Sequence, residues 1–459
     1  MRVAIVGGGP SGIAALKAFL AEPAGVTSVK VFERRSATGG AWNHTPLPAG
    51  QVRLKRVPSI SPLVVEGPVE ATEDKDSPGT GDLTWLTPMY DKLNTNIPAN
   101  LMAYHDVPFE QAAGAHDFPS REKVLQYLAG YAKDIVQYLQ LNAEVLSIVK
   151  RADVWKLKWS PSCGTKRDGV WEDFDRIVIA SGHYETIKIP DIPGISAYHA
   201  KYPERIHHSK YYRSPEVYKD KRVLVVGSGP SGTDIARQIS EHAITPVWRS
   251  IRSATAQAVD SANVIHDVAQ IRHIETDGSV VLLDGTVLAN IDRLVFCTGY
   301  LYSFPYLEES TTRRFMSPDG EYLRDLYEQV FCIDDPTLAF LAMGMSIVPF
   351  PIAEAQSCYV ARVWTGRLRL PRRADMTAHE ERRLSGKAPG RRTMYLGHPD
   401  DGKYIDRLRE KCLQASPAGG LLPVDWLNSD RVWLRQHMGD LKRDWLLQQQ
   451  QHNGTQLTA

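Results

Sequence analysis

Val3-Ala4-Ile5-Val6-Gly7-Gly8-Gly9-Pro10-Ser11-Gly12, running into Ile13-Ala14-Ala15-Leu16-Lys17-Ala18-Phe19-Leu20, decides the fold class of this 459-residue chain. The four-residue apolar run predicts a buried strand, the glycines a tight turn, and the amphipathic stretch a helix. In that order a G-x-G-x-x-G turn binds a dinucleotide. Gly7 permits the turn. Gly9 has no Cβ where a pyrophosphate must approach the backbone, and Pro10 and Ser11 open the helix. Gly12 lets that helix lie close on its strand. One such motif is a weak signal, but the chain carries a second. Val223-Leu224-Val225-Val226 leads into Gly227, Ser228, Gly229, Pro230, Ser231 and Gly232, and then into the amphipathic Asp234-Ile235-Ala236-Arg237-Gln238-Ile239. Two bound dinucleotides are expected, on an α/β fold of two Rossmann-like domains with parallel sheets.

The two sites diverge at the next strand. Ser28-Val29-Lys30-Val31-Phe32 ends in Glu33, about twenty residues past Gly12, where a carboxylate accepts hydrogen bonds from ribose hydroxyls and repels a 2′-phosphate. FAD or NAD suits that site. The second strand, Thr245-Pro246-Val247-Trp248, runs into Arg249-Ser250-Ile251-Arg252, where no acid is expected in reach. A guanidinium pairs well with a 2′-phosphate, which assigns Ser250 and Arg252 to NADP. Solvated arginines at a strand end are the plainer reading of the same residues.

Each glycine motif is followed downstream by an apolar strand ending in a small residue, a glycine and an aromatic ring: Arg176 to His183, and Arg293 to Tyr300. The simplest architecture is an FAD-binding domain over 1–183, an inserted NADP-binding domain over 184–298, and the remainder of the FAD domain over 299–459 with a helical C-terminal region. Ile189-Pro190-Asp191-Ile192-Pro193-Gly194 reads as the first crossing.

A net charge of +1 gives no electrostatic argument for nucleic acid. The stretch 362–392 holds ten basic residues against Asp375, Glu380 and Glu381, which reads as a solvated helix face, with docking to an anionic membrane surface as the alternative. Cys163, Cys297, Cys332, Cys358 and Cys412 have neither C-x-x-C nor metal-ligand spacing, so inert thiols in a reducing compartment and no metal are expected. With a strand at the N-terminus and no basic n-region, a cytoplasmic protein is expected. The most apolar stretch, 338–353, is broken by Gly344, Ser346, Pro349 and Pro351 and falls short of the ~20 residues of a spanning helix. Gln448 to Ala459 is polar and reads as a frayed end.

A flavin beside a nicotinamide implies hydride transfer, after which electrons pass to a disulfide, to another protein or quinone, or to oxygen. No redox cysteine pair lies near the first motif, which removes the first destination. Beyond this point the chain resembles the flavin-containing monooxygenases. The resemblance runs from Val3 to about Leu408. Its motifs are Gly39-Gly40-Ala41-Trp42-Asn43, Thr95-Asn96-Ile97-Pro98, Phe118-Pro119-Ser120-Arg121, Ser181-Gly182-His183-Tyr184, Thr298-Gly299-Tyr300 and Pro351-Ile352-Ala353-Glu354-Ala355-Gln356. The family's identifying pattern, Phe-x-Gly-x-x-x-His-x-x-x-Tyr/Phe, is matched by Tyr202, Glu204, His208 and Tyr212, with Glu204 in place of the glycine.

The resemblance implies that Gly40, Trp42, Val145 and Gln356 also contact FAD. It places Asn96 beside the flavin, where its amide can hydrogen-bond oxygen; an Asx turn before Pro98 is the other reading. It further implies that NADPH reduces FAD, that oxygen forms a C4a-hydroperoxyflavin, and that a nucleophilic sulfur or nitrogen of a small molecule takes the distal oxygen, natural-product tailoring being one setting. Tyr212, where Baeyer–Villiger relatives carry Trp, favours heteroatom oxygenation over ketone oxidation. A redox-sensing flavoprotein without turnover is the third reading.

Overall fold

The computed structural model describes residues 1–47, 54–64, 67–70, 83–105, 107–109, 117–162, 168–252 and 264–456. The chain divides into two compact units, one of Met1–Asn43, Leu93–Gly182 and Phe304–Ala459, the other of His44–Lys92 and His183–Ser303.

The first unit is built on a seven-stranded sheet. Its parallel part runs Leu338–Phe340, Arg176–Ile179, Arg2–Val6, Ser28–Phe32 and Leu139–Gln140, and an antiparallel hairpin, Leu326–Tyr327 and Phe331–Cys332, extends one edge. Val3, Ala4 and Ile5 are fully buried, as both faces of a parallel sheet require. The helix Pro10–Leu20 covers one face. Its Ala14, Ala15 and Ala18 are buried small residues, and Phe19 stacks on Trp364 of the helix Pro349–Trp364 with ring centroids 5.8 Å apart. Phe32 meets Trp159 and Phe174 of a three-stranded antiparallel sheet, each at 5.9 Å.

The second unit holds a five-stranded parallel sheet in the order Ile206–His208, Arg293–Phe296, Arg222–Val226, Ile244–Ser250, Ile265–Val268. The helix Pro230–Ser240 buries Ile235, Ala236 and Ile239. The described parts of 44–92 belong here, which corrects the expectation of an uninterrupted first domain over 1–183. Ser59 and Ile189 exchange backbone hydrogen bonds, Leu54 and Val57 join the apolar core of this unit, and the buried Arg213 guanidinium donates to the Thr45 and Thr87 carbonyls. A buried guanidinium needs such acceptors, and this segment supplies them.

The four described cysteines are free, and Cys163 lies outside the described residues. Burial pushes the Cys297 thiol up to about 12 and Cys412 up to about 11, so both stay protonated and inert. The basic stretch is not simply a solvated face. Arg362 and Arg367 turn inward to the buried Glu22, Arg383 pairs with the buried Glu380, and Arg372 and Arg373 pair with Asp375 and Asp334. Among the described residues no helix is long and apolar enough to cross a membrane. The chain past Gln448 continues the helix Arg431–Gln456 rather than fraying, and 457–459 lie outside the described residues.

His208 is completely buried at the end of its strand. Its Nε2 donates to the Gly299 carbonyl (3.1 Å) and its Nδ1 accepts from the Lys210 N–H (3.1 Å), which fixes a neutral ring. Burial, opposed by the Gly299 carbonyl, holds its pKa down at about 3. In the unfolded chain the ring titrates near ~6.5. The unfolded state therefore takes up the proton first as pH falls. The contribution of His208 is fully present above about 6.5 and is lost progressively between there and about 3, by up to ~1.4 kcal/mol per pH unit. Denaturation of the wild type and of His208→Gln, which can still donate to Gly299, checks this. The variant's stability should fall less steeply between pH 6 and pH 4, and parallel profiles would contradict the assignment.

Candidate functional site

The first glycine turn packs closely against backbone of three other segments. Gly7 has φ +104°, its N–H donates to the Phe32 carbonyl (2.8 Å), and a Cβ on it would lie 2.7 Å from the Ala180 carbonyl oxygen. A Cβ on Gly12 would lie 1.9 Å from the Gly7 carbonyl oxygen. Gly40, at φ +54°, sits so that its Cβ would fall 2.8 Å from Gly9 Cα, and the Gly39 N–H donates to the Gly8 carbonyl (3.1 Å). The Gly39–Asn43 turn thus lies back to back on the glycine motif. Asn43 Nδ2 ties it to the Thr38 carbonyl, and Trp42 meets Phe350 edge-on at 6.3 Å.

Glu33 is buried at the strand end, where its Oε2 accepts the Gly8 N–H (2.7 Å) and its Oε1 the Arg35 N–H (2.9 Å). These bonds fix the carboxylate, and an ionised carboxylate keeps further acceptor positions for ribose hydroxyls. No side chain caps the helix at Gly9, and Pro10 takes its first position. The first-turn amides, which have no intrahelical partner in any helix, thus also lack a side-chain cap, as suits an anion-binding helix N-terminus. Half-buried Ser11 lies on that first turn. Tyr104, unmarked by any sequence signal, donates its hydroxyl to the Pro10 carbonyl (2.8 Å), and burial raises its pKa so that it stays a donor. These residues fit a dinucleotide of the FAD type.

Val145 lies half-buried in the strand Ala143–Arg151, at the irregularity between Val145 and Ser147. Gln356 is buried in the helix Pro349–Trp364, where Oε1 accepts the Ala342 N–H (2.7 Å) and Nε2 donates to the Tyr404 hydroxyl (2.9 Å). Its amide thus holds the left-handed Ala342 backbone.

The second cradle repeats the backbone plan with a different setting. A Cβ on Gly227 would lie 2.7 Å from the Cys297 carbonyl oxygen, one on Gly232 2.1 Å from that of Gly227, and one on Gly229 would meet nothing within 4 Å among the described residues. Ser228, Gly229, Pro230 and Ser231 are all exposed. Ser250 is buried. Its carbonyl accepts the Gly227 N–H (3.0 Å) and its hydroxyl donates to the Ala269 carbonyl (3.0 Å), so it shapes the turn.

The expectation that no acid reaches this strand end needs correction. Arg249 is clasped by Asp267, Nε to Oδ1 at 2.6 Å and Nη2 to Oδ2 at 2.9 Å, and its Nη1 donates to Thr233 Oγ1. Asp267 is a neighbour only because its strand pairs in parallel with Ile244–Ser250. Arg252 is exposed, and its side chain makes no hydrogen bond to another described residue.

Asn96 projects from a clamped turn. The Thr95 N–H donates to the Pro119 carbonyl (3.0 Å), Thr95 Oγ1 donates to the Ile97 carbonyl (2.8 Å), and Asn94 Nδ2 donates to the Phe118 carbonyl (3.3 Å). Asn96 itself is exposed, and its amide has no hydrogen bond among the described residues. Thr95, not an Asx turn at Asn96, holds the approach to Pro98. In the second unit Glu204 is absent from the described residues with positive φ, so glycine is not needed there. Tyr212 donates to Gln238 Oε1 (3.0 Å) from a buried position.

These cradles agree with what the chain is similar to. A family model described as flavin-binding monooxygenase-like matches residues 85–256 and 262–418, and one described as FAD-NAD(P)-binding matches 4–60. The flavin-containing monooxygenase ustF2 of Aspergillus flavus is 31% identical over 82% of this chain and 84% of its own length. The thiol-specific monooxygenase of Saccharomyces cerevisiae is 30% identical over 79% and 77%. The solved structure of S-allyl-L-cysteine S-oxygenase from Allium sativum superposes with a TM-score of 0.77 at 27% identity, covering 96% of this chain and 93% of that one. The chain belongs to the flavin-containing monooxygenase family and is an FAD- and NADPH-dependent enzyme.

Proposed function

We propose that this enzyme oxygenates a nucleophilic sulfur of a small thiol or sulfide, with nitrogen nucleophiles as the neighbouring substrate class. The observation that carries this reading is the exposed amide of Asn96, without a hydrogen bond among the described residues, on a turn fixed at both flanks. Its support is that relatives named for thiol and S-allyl-L-cysteine oxygenation cover most of the chain. FAD, once reduced by NADPH, supplies the oxygen activation, and molecular oxygen supplies the transferred atom.

The chain's own residues bind, orient and exclude water. Gly7, Gly9, Gly12 and Gly40 let the turn, its helix and the Gly39–Asn43 segment pack closely enough to shape the FAD cradle, Pro10 and Ser11 begin the helix that receives its pyrophosphate, and Glu33 takes ribose hydroxyls. Trp42 and Val145 flank that cradle, and Gln356 acts through the Ala342 backbone. Gly227 to Gly232 hold the NADPH pyrophosphate, Ser250 sets their turn, and Arg252 pairs with the 2′-phosphate. Asn96 offers an amide proton to the oxygen atom that is to be transferred, with no titrating group required.

Supplying the holoenzyme with NADPH, labelled molecular oxygen and small thiols, sulfides, amines and ketones, then following the label by mass spectrometry, tests the substrate class. One labelled oxygen on sulfur is expected, and labelled esters from ketones alone would overturn the reading in favour of Baeyer–Villiger chemistry. Asn96→Ala should retain FAD and lower oxygenation about a hundredfold, the scale on which a single preorganised donor acts; undiminished product formation would remove Asn96 from the chemistry. Arg252→Ala should raise the KM for NADPH by about tenfold or more and leave that for NADH nearly unchanged. Equal changes for both cofactors would take Arg252 out of the phosphate site.

A further inference from the structure

The helix Arg431–Gln456 lies beyond the region matched by the family model, which ends at residue 418, and its sequence is polar. Its inward seam is nonetheless regular. Arg431, Arg435, Met438, Lys442 and Trp445 follow spacings of four, three, four and three, which places them on one face of a helix. The three cations on that seam each donate to a backbone carbonyl of the first unit. Arg431 Nη1 reaches the Ala103 carbonyl (2.9 Å), Arg435 Nη2 the Ser346 carbonyl (3.2 Å), and Lys442 Nζ the Thr95 carbonyl (2.8 Å). Arg435 is fixed further by the buried Asp401 carboxylate (2.7 Å). The Lys442 ammonium is held between the Phe118 and Trp445 rings, 4.7 and 4.2 Å from their centroids.

The Thr95 carbonyl belongs to the peptide bond that leads into Asn96. Thr95 is thus bonded through its N–H, its hydroxyl and its carbonyl, and only the third bond comes from outside the 94–120 region. We propose that the helix Arg431–Gln456 is a strap that positions the Asn96 turn, with Lys442 as its positioning residue. Lys442 acts through the Thr95 carbonyl and does not touch substrate. The proposal rests on Asn96 serving the oxygenation.

The test uses the FAD-loaded full chain and compares Lys442→Met, Lys442→Gln and Lys442→Arg with Asn96→Ala. Two readouts are taken. One is hydrogen exchange at the Thr95 and Ala99 amides, which bond to the Pro119 and Asp117 carbonyls. The other, without any organic substrate, is the NADPH-dependent release of hydrogen peroxide, in which NADPH, a proton and oxygen give NADP⁺ and hydrogen peroxide. Loss of one charge-assisted bond should speed exchange at Thr95 and Ala99 about tenfold in K442M and K442Q. Peroxide release should rise severalfold with the KM for NADPH unchanged, and K442R should restore both values. Wild-type exchange or wild-type peroxide release in K442M and K442Q would overturn the strap. Were Asn96→Ala to release peroxide and form product at the wild-type rate, the reading of Asn96 would fall, and the exchange data would still show whether Lys442 orders the turn.

Discussion

Absent Cβ atoms hold this architecture together. At Gly7, Gly12, Gly40 and Gly227 a methyl group would stand under 3 Å from a backbone atom of another segment, and backbone in a sheet or at a helix start has nowhere to go. Because Gly12 carries no side chain, the helix Pro10–Leu20 can start directly over the strand that precedes it. Because Gly40 carries none, the Gly39–Asn43 turn can lie on Gly9. Burial of the Glu33 carboxylate follows from this, since its partners are the Gly8 and Arg35 amides that this packing brings to the strand end. The stabilisation thus comes from close packing and satisfied backbone groups, while the surface a phosphate needs stays bare.

Rigidity is imposed on the Asn96 turn by the same means, with cations in place of glycines. On a helix far along the chain, Lys442 reaches the Thr95 carbonyl of that turn, while Arg431 and Arg435 anchor the same helix to the Ala103 and Ser346 carbonyls. A charged donor to a neutral carbonyl is stronger than an amide donor, and a carbonyl is present whatever side chain the residue carries. Such a clamp fixes the backbone under Asn96 without engaging the residue's own amide, which has no hydrogen bond among the described residues.

The strand, turn and helix of each cradle were legible in the sequence because they rest on local rules: an apolar run, glycines at fixed offsets and a helical period. Glu33 was legible for the same reason, by its distance from Gly12. What escaped depends on contacts distant in sequence. Asp267 lies eighteen residues from Arg249 and becomes its partner only through parallel pairing of two strands. The place of 44–92 in the second unit depends on the acceptor needs of Arg213, over a hundred residues away. The C-terminal helix shows an apolar stripe in Leu434, Met438, Leu441 and Trp445, but the carbonyls that Arg431, Arg435 and Lys442 reach lie far away in sequence and cannot be read from it. Arg362 and Arg367 likewise read as part of a solvated basic run until Glu22 is seen beneath them.

The two cradles share a backbone plan and differ in burial, and the difference matches the different tasks of their ligands. Gly8 and Gly9 are buried under the Gly39–Gly40 turn, whereas Ser228 to Ser231 stand open to solvent. A cofactor held where the protein closes over its phosphates exchanges slowly, and FAD has to stay through every turnover. NADPH has to leave as NADP⁺ and be replaced in each cycle, so its site cannot be closed in the same way. The tie between Arg249 and Asp267 neutralises one guanidinium at the strand end and leaves Arg252 exposed beside it.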